Sequence, residues 1–104
     1  MQDLKLSKEE NKLIARISCE LDHHKASGIR EAIDKALIAG GASVLVLDFS
    51  AVPFMDSSGI GLIIGRADKA RDVGVRVRVI GLIPSLLRLV RLSGISKLEN
   101  LEIV

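Results

Sequence analysis

The chain has 104 residues, 48% of them hydrophobic, which suits one domain spanning 1–104 with a core and much wet surface. Fifteen basic residues against 13 acidic ones leave a formal charge of +2, and Phe49 and Phe54 are the only aromatic side chains. So small a basic excess, without stacking platforms, argues against a nucleic-acid binder.

Cys19 is the single cysteine. It has no partner for an internal disulfide, which fits a reducing compartment. Met1 to Asn11 lacks a charged-then-apolar leader pattern, and no run approaches the roughly 20 apolar residues of a membrane span. The expectation is a cytoplasmic protein without membrane contact.

Leu4 and Leu6 alternate with polar neighbours and predict a short edge strand before a turn over Ser7 to Asn11. Leu13, Ala15, Ile17 and Cys19 then share one strand face, with Arg16, Ser18 and Glu20 on the other. Cys19 is expected to pack inward, where a thiol is inert. Asp22 is an N-cap candidate for a helix whose stripe is Ala26, Ile29, Ile33, Ala36 and Leu37, and Gly40-Gly41 stops it. Val44 to Leu47 is apolar without alternation, the pattern of a central strand covered on both faces.

A second helix is predicted from about Ser58 to Asp72, burying Ile60, Ile63, Ile64, Ala67 and Ala70 and ending at Gly74. Val75, Val77 and Val79 alternate with Arg76 and Arg78, a strand with one wet face. Pro84 opens a third helix over Ser85 to Leu92, closed by Gly94. Leu86, Leu87, Leu89, Val90 and Leu92 are too many for one stripe, so some are exposed or the helix is packed all round. Leu101 to Val104 is a final strand.

The fold class is therefore α/β, in the order β-β-α-β-α-β-α-β. The tightly joined first strands are an antiparallel hairpin, and Val44 to Ile80 is a βαβ unit with parallel strands. The sheet is mixed, with helices packed mainly on one face.

Enzyme constellations fail on inspection. Gly59-Ile60-Gly61 lacks the lysine of a phosphate-binding loop. Met55 stands where a nucleophile elbow requires glycine before Ser57. His23 and His24 follow Glu20 and Asp22, yet adjacent helical side chains diverge by about 100° and do not share one metal ion easily. No cofactor is implied. Arg66, Lys69, Arg71, Arg76, Arg78, Arg88, Arg91 and Lys97 are either a solvated mixed-charge surface or a patch that steers an acidic partner.

Phe54-Met55-Asp56-Ser57-Ser58-Gly59-Ile60-Gly61 concentrates hydroxyls and a carboxylate at a helix start. The first backbone N–H groups there are unpaired and the macrodipole is positive, so the end suits a cap or an anion. Spacing alone favours capping. Phosphorylation would add roughly −1.5 to −2 charges at that end, which the helix tolerates.

With Glu20-Leu21-Asp22-His23-His24, Val46-Leu47-Asp48, Gly65-Arg66 and Leu92-Ser93-Gly94, this segment resembles the anti-sigma factor antagonists of the STAS domain family over nearly the full length. The resemblance implies that Ser57 is a phosphoacceptor in a partner-switching cycle controlling transcription, as in sporulation. The unphosphorylated form binds an anti-sigma factor that is an ATP-dependent serine kinase, and the sigma factor is released. Phosphorylation ends the complex, and a serine phosphatase resets it. Asp22, His23, Asp56, Ser57, Ser58 and Gly59 are the implied partner-binding residues; Asp56 flanks the acceptor, and Ser58 caps or lines the helix start. Cys19 departs from the glycine common before Glu-Leu-Asp, and the chain stops at Val104 with little room for the terminal helix of many relatives. A monomer is expected when free. The other readings are a STAS scaffold subunit of a stress-signalling or lipid-transport complex, and a small enzyme or nucleotide-binding module using Ser57 as nucleophile.

Overall fold

In the computed structural model, which describes residues 2–104, the first two strands are β1 (Leu4–Glu9) and β2 (Lys12–Ile17). They pair antiparallel, from Leu4 opposite Ile17 to Glu9 opposite Lys12. The hairpin is longer than its apolar alternation suggests. The ladder continues through Lys8 and Glu9, so the turn shrinks to Glu10 and Asn11, with Glu10 at φ 55°. A two-residue hairpin loop demands such left-handed backbone, because its twist then matches that of the strands.

β3 (Val44–Asp48), β4 (Arg76–Ile80) and β5 (Leu101–Ile103) add in parallel to give a five-stranded sheet in the order β1-β2-β3-β4-β5. Between them run the helices α1 (His23–Ala39), α2 (Ser57–Asp72) and α3 (Pro84–Leu92), followed by a short 3-10 turn over Ile95–Lys97 that local patterning does not announce. The element order matches the sequence expectation.

Strand alternation puts Leu13, Ala15, Leu45, Leu47, Val77 and Val79 on one face, where they form a single core with Ile29, Ile33 and Leu37 of α1, Ile63 and Ala67 of α2, and Leu86 and Val90 of α3. Each large aliphatic side chain so buried contributes about 1.5–3 kcal/mol. Phe49 joins this core, whereas Phe54 is exposed.

The expectation that β3 is covered on both faces holds, with a different cover on each. Val46 points away from the helices and lies outside the main core, yet it is only 6% exposed. Its register neighbours are Ile14 and Arg78, and Arg78 Nε is held 2.8 Å from Glu102 Oε1. Flanking side chains, not a second helical layer, exclude water there.

α1 has the expected stripe, with Ile29, Ile33 and Leu37 buried and Ala26 and Ala36 half-buried. α2 is rotated from expectation. It buries Leu62, Ile63, Arg66, Ala67 and Ala70, while Ile60 and Ile64 are only partly covered. The reason is that α2 packs on α1 as well as on the sheet. Arg66 therefore leaves the surface basic set. In α3, Leu86 and Val90 are buried but Leu89 and Leu92 are exposed.

Candidate functional site

Leu21 and Met55 form an isolated parallel bridge. The Leu21 N–H donates to the Phe54 carbonyl at 3.0 Å, and the Asp56 N–H donates to the Leu21 carbonyl at 3.3 Å. Both residues are buried. The Glu20-Leu21-Asp22-His23 segment is thereby stitched to Phe54-Met55-Asp56-Ser57, and the starts of α1 and α2 lie side by side.

An aspartate follows each member of the bridge and caps a helix. Asp22 Oδ1 accepts from the Lys25 backbone N–H at 2.8 Å, and Asp56 Oδ1 accepts from the Ser58 backbone N–H at 2.8 Å. Both aspartates have extended backbones, as a cap residue must. The capping role foreseen for a serine thus belongs to Asp56. A carboxylate both accepts the orphan hydrogen bond and answers the positive end of the dipole, so it outcompetes a hydroxyl.

Ser57 is the first residue of α2 and is exposed, with its hydroxyl left outside the cap. Phe54, three residues earlier, is 57% exposed. Its exposure has no signal in the local sequence pattern, which gives Phe49 and Phe54 only as the two aromatic side chains.

Asp22 and His23 are exposed on the neighbouring helix start, and Ser58 is half-buried between the two helices. Gly59 is buried instead of presented at the surface. A Cβ on it would lie 2.5 Å from Met55 Sδ and 3.0 Å from Met55 Cβ. It acts by letting α2 close onto the bridge, and so it positions the surface residues around it.

A groove of about 430 Å³ opens between α1 and α2, running from His23 and Ser58 past Gly61 and Gly65 to Arg66. At its inner wall Arg66 Nε lies 2.8 Å from Asp34 Oδ1. Burial pushes the Arg66 guanidinium below its ordinary pKa; Asp34 opposes that shift and Arg30 adds to it. The signal for a buried Arg66 is its spacing, four residues after Leu62 and three after Ile63, which its charge concealed.

Cys19 is half-buried against the core, as expected for packing. Burial, then the Asp3 carboxylate, raises its pKa and keeps the thiol protonated. Among the described residues no helix is long and apolar enough to cross a membrane.

Comparison with known proteins agrees with this geometry. The chain is 37% identical over 86 residues to the anti-sigma F factor antagonist of Paenibacillus polymyxa, covering 83% of this chain and 74% of that protein. The solved structure of the anti-sigma factor antagonist SpoIIAA in its unphosphorylated form superposes with a TM-score of 0.75 at 25% identity, covering 97% of this chain and 86% of that one. The phosphorylated form of the Bacillus cell fate determinant SpoIIAA gives 0.74 at 27% identity, with 97% and 90% covered. Residues 3–103 match the model of the STAS domain, and the chain belongs to the STAS domain family.

Proposed function

We infer that the chain is an anti-sigma factor antagonist switched by phosphorylation of Ser57. In the unphosphorylated state it binds an anti-sigma factor that is an ATP-dependent serine kinase, and the sigma factor is released. The kinase transfers a phosphoryl group to Ser57, the complex dissociates, and a serine phosphatase restores the binding form. The chain itself acts by binding and not by catalysis, and as a monomer when free.

The observation that carries this reading is the exposed Ser57 hydroxyl at the first position of α2, with Asp56 taking the cap. Esterifying that hydroxyl removes no hydrogen bond of the cap. The new charge sits at a positive helix end, so the fold tolerates it. A partner pressed on Phe54, Asp56 and the start of α1 meets it directly. Like-charge juxtaposition or a desolvated phosphate costs several kcal/mol at an interface, and each 1.4 kcal/mol is tenfold in affinity.

Asp22, His23, Ser58 and Gly59 belong to the same contact in this reading, the first three by touching or flanking the partner and Gly59 by its close approach to Met55. The relatives named as anti-sigma factor antagonists, and a solved relative in both phosphorylated and unphosphorylated forms, support it.

The test incubates the protein with the candidate kinase and ATP and locates phosphate by mass spectrometry. Modification is expected at Ser57 and absent from Ser57→Ala, which should hold the kinase persistently. Phosphate on another residue, or release from Ser57→Ala at the normal rate, would overturn the mechanism.

A further inference from the structure

The helix α3 buries Leu86 and Val90 but leaves Leu92 79% exposed, with Leu89 at 40% beside it. A groove of about 320 Å³ runs along this helix, lined by Pro84, Leu87, Arg88, Arg91 and Leu92 together with Leu82 of the preceding loop. From Pro84 to Leu92 the lining positions are spaced i, i+3, i+4, i+7 and i+8, which is one continuous helix face. Leu82 and Leu87 are half-buried, whereas Arg88, Arg91 and Leu92 stand in water. The leucine excess of α3 is therefore an apolar face turned to solvent beside two guanidiniums, not a helix packed all round.

Charge says what fits there. Neither Arg88 nor Arg91 takes part in an ion pair among the described residues. No acidic residue occurs between Asp72 and Glu99, a stretch that also carries Arg76, Arg78 and Lys97. The groove thus has an apolar floor and a cationic wall. A second copy docked through this face about a two-fold axis would set the arginines against their own counterparts, and repulsion opposes it. A bilayer is flat and takes protruding apolar side chains, whereas Leu82 and Leu87 line a recess. An extended strand would find no main-chain partners, because a helix pairs its backbone internally. An apolar ridge of helical period, flanked by carboxylates, fills the recess and answers both guanidiniums.

We propose that the α3 groove docks an acidic amphipathic helix of a partner protein, its apolar ridge seated on Leu82, Leu87 and Leu92 and its flanking carboxylates paired with Arg88 and Arg91. Guanidiniums meet carboxylates in a two-pronged fork, which fixes the register of the docked helix as well as attracting it. The attraction also speeds encounter and weakens as salt is added. The nine residues of α3 cover about two and a half turns of the incoming helix. None of the lining residues belongs to the corner of Asp22, His23, Phe54 and Ser57. The site therefore goes beyond the partner switch and holds whether or not Ser57 is ever phosphorylated.

The experiment titrates the full, isotopically labelled chain with two synthetic peptides, followed by two-dimensional NMR at fixed ionic strength. Each peptide is about 18 residues long, enough to be helical in water, with leucine repeating at i, i+3, i+4 and i+7. Glutamate flanks the leucines in one and lysine in the other. Saturable shifts are expected at the Leu87, Arg88, Arg91 and Leu92 amides, at least tenfold tighter with the glutamate peptide, and none at Phe54 or Ser57. The double variant Arg88→Glu, Arg91→Glu should reverse the preference. Leu92→Ser changes a side chain already in water, so the thermal midpoint is kept while the glutamate peptide binds several-fold more weakly, which decides the matter if the double variant fails to fold. Equal binding of the two peptides, shifts centred away from α3, or undiminished binding by Leu92→Ser overturns the proposal. So do α3 shifts that appear on concentrating the chain alone, or with phosphatidylglycerol vesicles, but not with the glutamate peptide; these assign the face to a second copy or to a membrane.

Discussion

Leu21 and Met55 share a single parallel backbone bridge, and each is followed at once by an aspartate that caps a helix. One pairing therefore fixes two helix starts at once. It also explains why segments more than 30 residues apart in sequence present one surface.

Capping by Asp56 rather than Ser57 has a direct consequence for stability. Asp56→Ala should lower stability by about 0.5–2 kcal/mol. At roughly 4–8 °C per kcal/mol for a domain of this size, thermal unfolding resolves the loss. Ser57→Ala should change stability by less than about 0.5 kcal/mol, as exposed positions do. A larger loss in Ser57→Ala than in Asp56→Ala would show that the serine is the cap.

Charge at Ser57 should alter contacts and leave the fold intact. Ser57→Asp adds a carboxylate at the positive end of α2, a change worth about 0.3–1 kcal/mol at most. Circular dichroism and urea midpoints should stay near those of the unmodified protein while affinity for the kinase drops by orders of magnitude. Parallel loss of both folding and binding contradicts a surface switch.

Gly59→Ala forces a methyl group to within 2.5 Å of Met55 Sδ and 3.0 Å of its Cβ. Overpacking of this kind costs about 1–3 kcal/mol. In a double-mutant cycle with Met55→Ala, the two changes should couple strongly, since the second removes the obstruction. Simple additivity would place the strain elsewhere.

The Arg66–Asp34 pair is asymmetric in burial, with side chains 5% and 19% exposed. Asp34→Asn strands a guanidinium in the core and should cost about 3–5 kcal/mol, toward the low end because water reaches the aspartate. Arg66→Met removes the charge and keeps the volume, and should be nearly neutral or stabilising. Urea denaturation of both variants compares them directly.

The Cys19 pKa is raised by burial and by Asp3, so less thiolate is present at neutral pH than in a free cysteine. Alkylation by iodoacetamide should be several-fold slower than for free cysteine, with its pH profile displaced upward. Unfolding in urea should restore the ordinary rate. A fast reaction of the folded chain at pH 7 would contradict the protonated, packed thiol.

Much of the fold was legible because its signals are local. The cap Asp22, the stops at Gly40 and Gly41, Pro84 at the start of α3 and the alternation of Val75, Val77 and Val79 each act within a few residues. The hairpin length was less legible, since Lys8 and Glu9 extend β1 by pairing with β2 and not by their own pattern. The family resemblance implies a phosphoacceptor at Ser57, where spacing alone favours a cap.

By itself the sequence determined the element order, the helix ends and the presence of an acidic serine corner, because these follow from backbone propensity and nearest neighbours. Only the tertiary structure decided which face of α2 is buried, that Asp56 holds the cap, and that Arg66 stands in the core opposite Asp34. Those outcomes depend on α1 packing against α2 and on the Leu21–Met55 bridge. Contacts between residues far apart along the chain overrule the preference of a charged side chain for water once a counter-charge and a helix surface are brought to it.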